Sequence, residues 1–120
     1  MTLTMGQLVD HVQLLFLIFL RVGSIFVETP FIGSRLIPMQ VRGGVAFMVA
    51  LISFPVVSAA GYTFPNGDFA ALAFAALNEL AIGLALGFIA NLYMMVFQLA
   101  GQFFSVQLGF GITEVIDPMA

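Results

Sequence analysis

Long apolar runs separated by short polar connections dominate this sequence. Residues 14–20 are continuously apolar, and they lie within a stretch over 8–27 that approaches the roughly 20 residues a membrane-spanning helix requires. A second apolar segment runs over about 43–60, and a third over about 68–95. The pattern therefore predicts at least three helices of membrane-spanning length.

The third apolar segment continues into a fourth, over about 96–108, without a charged residue between 80 and 113. As a single helix this uncharged run would reach roughly 50 Å, against a hydrocarbon core of about 30 Å. We therefore expect the run to break, bend or leave the lipid, with Gly101 as the favoured break. The pattern leaves open whether the fourth segment is a separate helix or the second half of a long bent one.

Proline and glycine mark the connections between these segments. Thr29-Pro30 and Ile37-Pro38 bound the first connection, and Pro65-Asn66-Gly67-Asp68 forms the second. Pro55 lies inside the second segment, where it is expected to cause a kink that a neighbouring helix, a side chain or water must satisfy. The sequence predicts one all-α membrane domain over 1–120, built from kinked hydrophobic helices that form helical hairpins.

Small and polar residues recur at helical spacing in the third and fourth segments. Gly83 and Gly87 form the small-xxx-small pattern with which membrane helices pack closely, and Gly101 is a further candidate packing glycine. A second stripe is polar and is expected to face protein or water. The first stripe contains Ala71, Ala75, Glu79, Gly83, Gly87 and Asn91, and the second contains Gln98, Gln102 and Ser105.

The composition excludes several classes of function. The chain is 62% hydrophobic and 8% charged, with a mean hydropathy of +1.14, which is far more apolar than a soluble domain of this size. Three basic residues form no nucleic-acid patch, and the chain has no cysteine and a single histidine, His11. With no catalytic, metal-ligand or nucleotide-binding motif, we expect neither an enzyme nor a bound metal or cofactor.

Two charged residues lie within apolar segments, where an unpaired charge is costly. Arg21 lies in the first segment and Glu79 in the third, so that an ion pair between them would neutralise both charges and fix one helix against the other. In the alternative interpretation Arg21 extends towards the membrane interface from the end of its helix.

Several short segments follow one another in a characteristic order. They resemble the N-terminal part of the FliR family, the flagellar export-gate proteins whose relatives in injectisomes are called SctT. The segments are Leu20-Arg21-Val22-Gly23, Pro30 to Pro38 (PFIGSRLIP), Asn78 to Phe88 (NELAIGLALGF), Gln98-Leu99-Ala100-Gly101-Gln102, Gln107-Leu108-Gly109-Phe110-Gly111 and Asp117-Pro118.

The resemblance implies a subunit of the type III protein export gate in the bacterial inner membrane, at the flagellar basal body. Its implied partners are FliP-like and FliQ-like subunits, FlhB-like and FlhA-like export components, and the unfolded proteins that are exported. It also implies that this chain is the N-terminal part of a longer one.

The resemblance further places a gate or plug loop at about 109–118. Apolar side chains there can exclude water, and two glycines give the backbone freedom to move aside. Glu114 departs from the small or apolar character expected of this loop. The gate residues are Gly109, Phe110, Gly111, Ile112, Thr113, Glu114, Val115 and Ile116.

Two other functions remain open from the residues themselves. A fragment of a small-solute transporter would place Arg21 and Glu79 on the substrate path, although the internal repeats typical of such proteins are not evident. A purely structural membrane scaffold would make the loop over 109–118 dispensable.

Overall fold

Three long helices make up the structure, a computed structural model that describes residues 4–29, 35–61, 68–109 and 116. Helix α1 is Met5–Glu28, α2 is Met39–Ala59 and α3 is Phe69–Gln107. Each is long and apolar enough to cross a membrane. The described residues form no strand, which confirms the predicted all-helical class.

Local sequence signals explain where these helices begin and end. Thr4 and Gln7 form a reciprocal capping box that begins α1, in which each side chain accepts a hydrogen bond from the other residue's backbone N–H. Thr29 ends α1 in an extended conformation, directly before a proline. Pro55 lies inside α2 without ending it, so the Leu51 carbonyl, four residues earlier, lacks its usual amide partner.

Helix α1 is the central helix, and α2 packs against it in the opposite direction. His11 contacts Phe54 edge-on with ring centroids 5.6 Å apart, and Phe19 contacts Phe47 in the same manner at 6.3 Å. The residue numbers rise along α1 as they fall along α2, which defines an antiparallel hairpin. The described residues of α2 and α3 do not pack directly on each other.

Helix α3 packs on α1 in a parallel orientation, and two glycines set the distance between the two backbones. A Cβ atom added at Gly83 would lie 2.7 Å from the Arg21 carbonyl oxygen and would also collide with Ser24 Oγ. At Gly87 it would lie 2.9 Å from the Ile25 carbonyl oxygen. Both glycines are buried, so only a residue without a side chain fits at these two positions.

Helix α3 continues without a break through Gly101 to Gln107, so the expected break at Gly101 is wrong. Helix α3 has 39 residues, which corresponds to about 58 Å at about 1.5 Å per residue. A glycine inside a helix costs only about 1 kcal/mol, and here the backbone hydrogen bonding continues through it. Nothing lies within 4 Å of a Cβ added at Gly101, so the described residues do not bring it into a helix contact.

The second half of α3 projects beyond α1. Gly87 packs near the end of α1, and α3 continues to Gln107, about 30 Å further at 1.5 Å per residue. The projecting residues are mostly exposed. The molecule is accordingly elongated, with extents of 68 × 24 × 22 Å.

Few apolar side chains are buried inside this arrangement. Among the described residues the buried apolar side chains are Leu14, Leu17, Ala46 and Ala50, whereas most of the larger apolar side chains are exposed. Ala46 and Ala50 lie four residues apart on α2 and are almost completely buried. Small residues therefore occur at the interfaces of both α2 and α3 with α1, as is typical of helices that associate without a hydrophobic driving force.

We expect Gly83→Ala to weaken the contact between α1 and α3 in the full-length protein. Overpacking of this kind typically costs about 1–3 kcal/mol of stability. The new methyl group would meet the backbone carbonyl oxygen of Arg21, which cannot move aside as a flexible side chain can. Thermal unfolding in detergent would measure the loss of stability. Gly44→Ala is the matched control, because Gly44 is exposed and nothing lies within 4 Å of its added Cβ. Equal stability of the two variants would contradict the close packing.

Candidate functional site: a helix-pairing ion pair

An ion pair joins α1 to α3 next to the glycine contacts. Arg21 Nη2 donates a hydrogen bond to Glu79 Oε1 at 2.9 Å, and Arg21 Nε faces Glu79 Oε2. The Glu79 side chain is 8% exposed, whereas that of Arg21 is 41% exposed. The two residues predicted to pair therefore lie together, with the Arg21 guanidinium directed at Glu79.

The position of this pair follows from the helix geometry. Glu79 and Gly83 lie four residues apart on one face of α3, and Arg21 and Ser24 lie three apart on α1, so the charge contact and the glycine contact share one interface. Both carboxylate oxygens face guanidinium nitrogens, a geometry that is directional as well as attractive. The ion pair thus fixes the register of two helices that the glycines bring close together.

Ser24 is a buried polar residue that the sequence pattern did not single out. Its Oγ donates to the Arg21 carbonyl oxygen at 2.8 Å, which satisfies the hydroxyl within α1. Because Ser24 is small, α3 can approach at Gly83. Its spacing of three residues from Arg21 could have indicated that both residues lie on one face of α1. The sequence alone did not show that this face meets α3.

The exposed part of Arg21 faces a half-open groove of about 260 Å³. Helix α2 contributes one polar side chain to this groove, Ser53, which sequence reasoning also missed. The lining residues are Leu14, Leu17, Ile18, Arg21, Val22, Ser53, Val57 and Glu79. The surroundings of the ion pair are therefore mostly apolar.

The predicted gate loop lies largely outside the described residues. Gly109 follows α3 with φ +78°, a conformation that favours glycine. Ile116 is described and is 76% exposed. Phe110, Gly111, Ile112, Thr113, Glu114 and Val115 fall outside the described residues, so the gating role stays a prediction.

The predicted polar stripe lies on the projecting half of α3. Gln98 and Gln102 are exposed, and Ser105 is half-buried. Gln102 also lines a shallow groove with Leu99, Phe103 and Val106. The described residues of α1 and α2 provide no partner for this stripe, which lies beyond the contact between α1 and α3.

The described residues contain no group of three or more His, Cys, Asp and Glu side chains that could hold a metal ion. His11 is half-buried and contacts the Phe54 ring, so it has a packing partner within the hairpin. The ion pair and the glycine contacts together are suited to holding α1 and α3 in register.

Comparison with known proteins shows extended similarity to one family. The family described as "Bacterial export proteins, family 1" matches residues 12–120. The chain is 35% identical over 114 residues to the flagellar biosynthetic protein FliR of Bacillus subtilis, covering 95% of this chain and 43% of that protein. It is 31% identical over 102 residues to FliR of Caulobacter vibrioides, covering 85% of this chain and 40% of that protein.

FliR of Escherichia coli is 29% identical over 115 residues, which cover 96% of this chain and 43% of that protein. The chain thus spans about two fifths of the length of these relatives. No solved structure shows significant similarity to it. Because the family match covers most of the chain, including both residues of the ion pair and both packing glycines, the chain belongs to the FliR family of bacterial export proteins.

Proposed function

We propose that this chain is a non-enzymatic membrane subunit of the flagellar type III protein export gate, at the flagellar basal body in the bacterial inner membrane. The observation that carries the proposal is the family match over residues 12–120. The relatives bear the name flagellar biosynthetic protein. Three helices long and apolar enough to cross a membrane agree with a membrane location.

In this role α1 and α3 act as one rigid unit. Gly83 and Gly87 bring the two helices together, and the ion pair between Arg21 and Glu79 fixes their register. A pore subunit requires such a unit, because exported proteins pass beside it and the pore must close again after each passage. The proposed role of the ion pair is therefore to keep α1 and α3 fixed relative to each other in the wall of the pore.

The exposed apolar surfaces and the projecting half of α3 are the surfaces available to other gate subunits. The projection carries Gln98, Gln102 and Ser105 among large apolar side chains, and amide side chains can form hydrogen bonds between helices in an apolar environment. FliP-like and FliQ-like subunits are the proposed neighbours, with FlhB-like and FlhA-like export components nearby. Unfolded flagellar proteins are the proposed cargo.

The loop over 109–118 is proposed to plug the pore. Gly109 supports this role, since its positive φ turns the chain immediately after α3. Large apolar side chains then follow in the sequence, among them Phe110 and Ile112. Apolar constrictions exclude water and ions, and flexible glycines allow them to open.

We expect that Glu79→Gln in the full-length protein weakens gate assembly and export, because it leaves Arg21 without its charged partner. Breaking a buried ion pair costs up to about 3–5 kcal/mol, and the partial exposure of Arg21 places the cost below that range. The double variant Arg21→Met/Glu79→Met should recover much of the assembly, since hydrophobic residues of similar size often replace a buried pair without loss. Blue-native electrophoresis of membranes and secretion of flagellin would measure both effects.

The same double variant separates the gate from a solute transporter. A packing role requires that the two charges balance, whereas a transport path requires the charges themselves. Asp10→Asn serves as the control, because Asp10 is an exposed acidic residue outside the interface. Recovery by the double variant supports the packing role, and equal loss in the single and double variants contradicts it.

We expect that the tagged full-length protein, purified from its native membrane, brings FliP-like and FliQ-like subunits with it. Mass spectrometry of the purified material would identify them. The exposed apolar faces of α1, α2 and α3 need apolar surfaces of partner subunits to pack against. Recovery of the protein alone, or with unrelated partners, would overturn the proposed function.

We further expect that deleting residues 110–115 raises the leakage of ions through the membrane without abolishing assembly. A membrane-potential dye in whole cells would report the leak. The parent strain and a strain with a scrambled sequence of the same composition at 110–115 are the controls. If deletion changes neither leakage nor secretion, the loop is not a plug and the scaffold interpretation is favoured.

A further inference from the structure

We propose that the groove beside the ion pair holds water, which enters from one end of the helix bundle and hydrates Arg21 within the apolar part of the membrane. This groove is lined by Ser53 of α2 together with Arg21 and Glu79, and it has a volume of about 260 Å³. The inference goes beyond the proposed function and requires only that the three helices cross a membrane.

Arg21 has hydrogen-bond donors that the ion pair does not use. A guanidinium carries five N–H groups. One group on Nη2 donates to Glu79 Oε1, and the Nε group faces Glu79 Oε2. The remaining N–H groups form no hydrogen bond to the described residues, and the Arg21 side chain is 41% exposed. Because an N–H group without a partner is costly in an apolar environment, these donors require acceptors from outside the described residues.

The ion pair keeps Arg21 away from the membrane surface. Glu79 lies ten residues after Phe69, the first residue of α3, which is about 15 Å at 1.5 Å per residue. This distance is half the thickness of a hydrocarbon core of about 30 Å. Arg21 is held at this depth because Nη2 and Nε both face the Glu79 carboxylate. The acceptors must therefore reach Arg21 from the membrane surface.

The groove leads from the ion pair towards one end of the bundle. Since α3 is parallel to α1 and α2 is antiparallel to it, α1 begins, α2 ends and α3 begins at the same end. The exposed carboxylates of Asp10 and Asp68 lie near this end, which places it at an aqueous surface. Val57, two residues before the end of α2 at Ala59, also lines the groove. Water can therefore enter beside Val57 and reach Arg21.

The polar groups of the groove favour water over an acyl chain. Ser53 is half-buried, and its hydroxyl forms no hydrogen bond to the described residues. Arg21 provides donors, and the Ser53 hydroxyl and the Glu79 carboxylate provide acceptors. A buried water molecule makes about three hydrogen bonds and occupies about 30 Å³ in the liquid, so the groove has both the partners and the space for several. An acyl chain would leave these polar groups without partners.

The test is thiol labelling of the full-length protein in native membrane fragments, in which a reagent reaches both membrane surfaces. The chain has no cysteine, and any cysteine in the rest of the full-length protein is replaced by serine. We expect a charged methanethiosulfonate reagent to modify the variants Ser53→Cys and Val57→Cys. The reagent reacts with the thiolate, which forms in contact with water and not among acyl chains.

Ile52→Cys is the matched control for Ser53→Cys. Ile52 is adjacent to Ser53 and 75% exposed, but it does not line the groove. A thiol at this position faces lipid or an apolar subunit surface. It should therefore react at least about tenfold more slowly than the thiol at position 53.

The dependence of the water on the ion pair is tested with Ser53→Cys as the reporter in the double variant Arg21→Met/Glu79→Met. Apolar walls alone do not hold water, so the rate of labelling at position 53 should fall about tenfold. Arg21→Lys keeps a charged group with hydrogen-bond donors beside the groove. This variant should retain most of the labelling.

Three results would overturn the proposal. Slow labelling of both Ser53→Cys and Ile52→Cys would show that lipid or a partner helix fills the groove. Equally fast labelling of both would show that water surrounds α2 at this depth instead of entering through the groove. Unchanged labelling of position 53 in the double variant would show that the ion pair does not hold the water.

Discussion

The close approach of α1 and α3 is the constraint on which the rest of this structure depends. Two glycines allow α3 to meet backbone carbonyls of α1, and the buried carboxylate of Glu79 then lies within reach of Arg21. Either feature alone would be weak. A charge in an apolar environment requires its partner at a fixed place, and small residues provide a contact without specifying which residues meet. Together they define one register for two parallel helices.

Helices α2 and α3 both pack on α1, but they do not pack directly on each other. The three helices therefore leave a half-open groove on each side of the α1–α2 hairpin. One groove contains the exposed part of Arg21, and the other contains Arg42. Arg21 thus takes part in the contact between α1 and α3 and also lines one groove, whereas Arg42 lines the other.

The second half of α3 projects beyond α1, and few apolar side chains are buried in the described part of the chain. The four buried apolar side chains of the described residues do not stabilise a soluble fold, and the exposed apolar faces require lipid or neighbouring helices. A helix of 39 residues also exceeds what one bilayer crossing needs. Its excess length therefore extends the molecule beyond the α1–α2 hairpin, where polar side chains such as Gln98 and Gln102 occur among aromatic ones.

The sequence by itself determined the helical class, the approximate helix positions and the two charges that require partners, because apolar run length, proline positions and the cost of buried charge are local properties. The spacing of Glu79, Gly83 and Gly87 also indicated one packing face. Only the tertiary structure decided that α3 continues through Gly101, that it runs parallel to α1, and that Ser24 and Ser53 lie near the ion pair. These outcomes depend on which helix faces meet in space, and a 3.6-residue periodicity defines a face without identifying the helix it contacts.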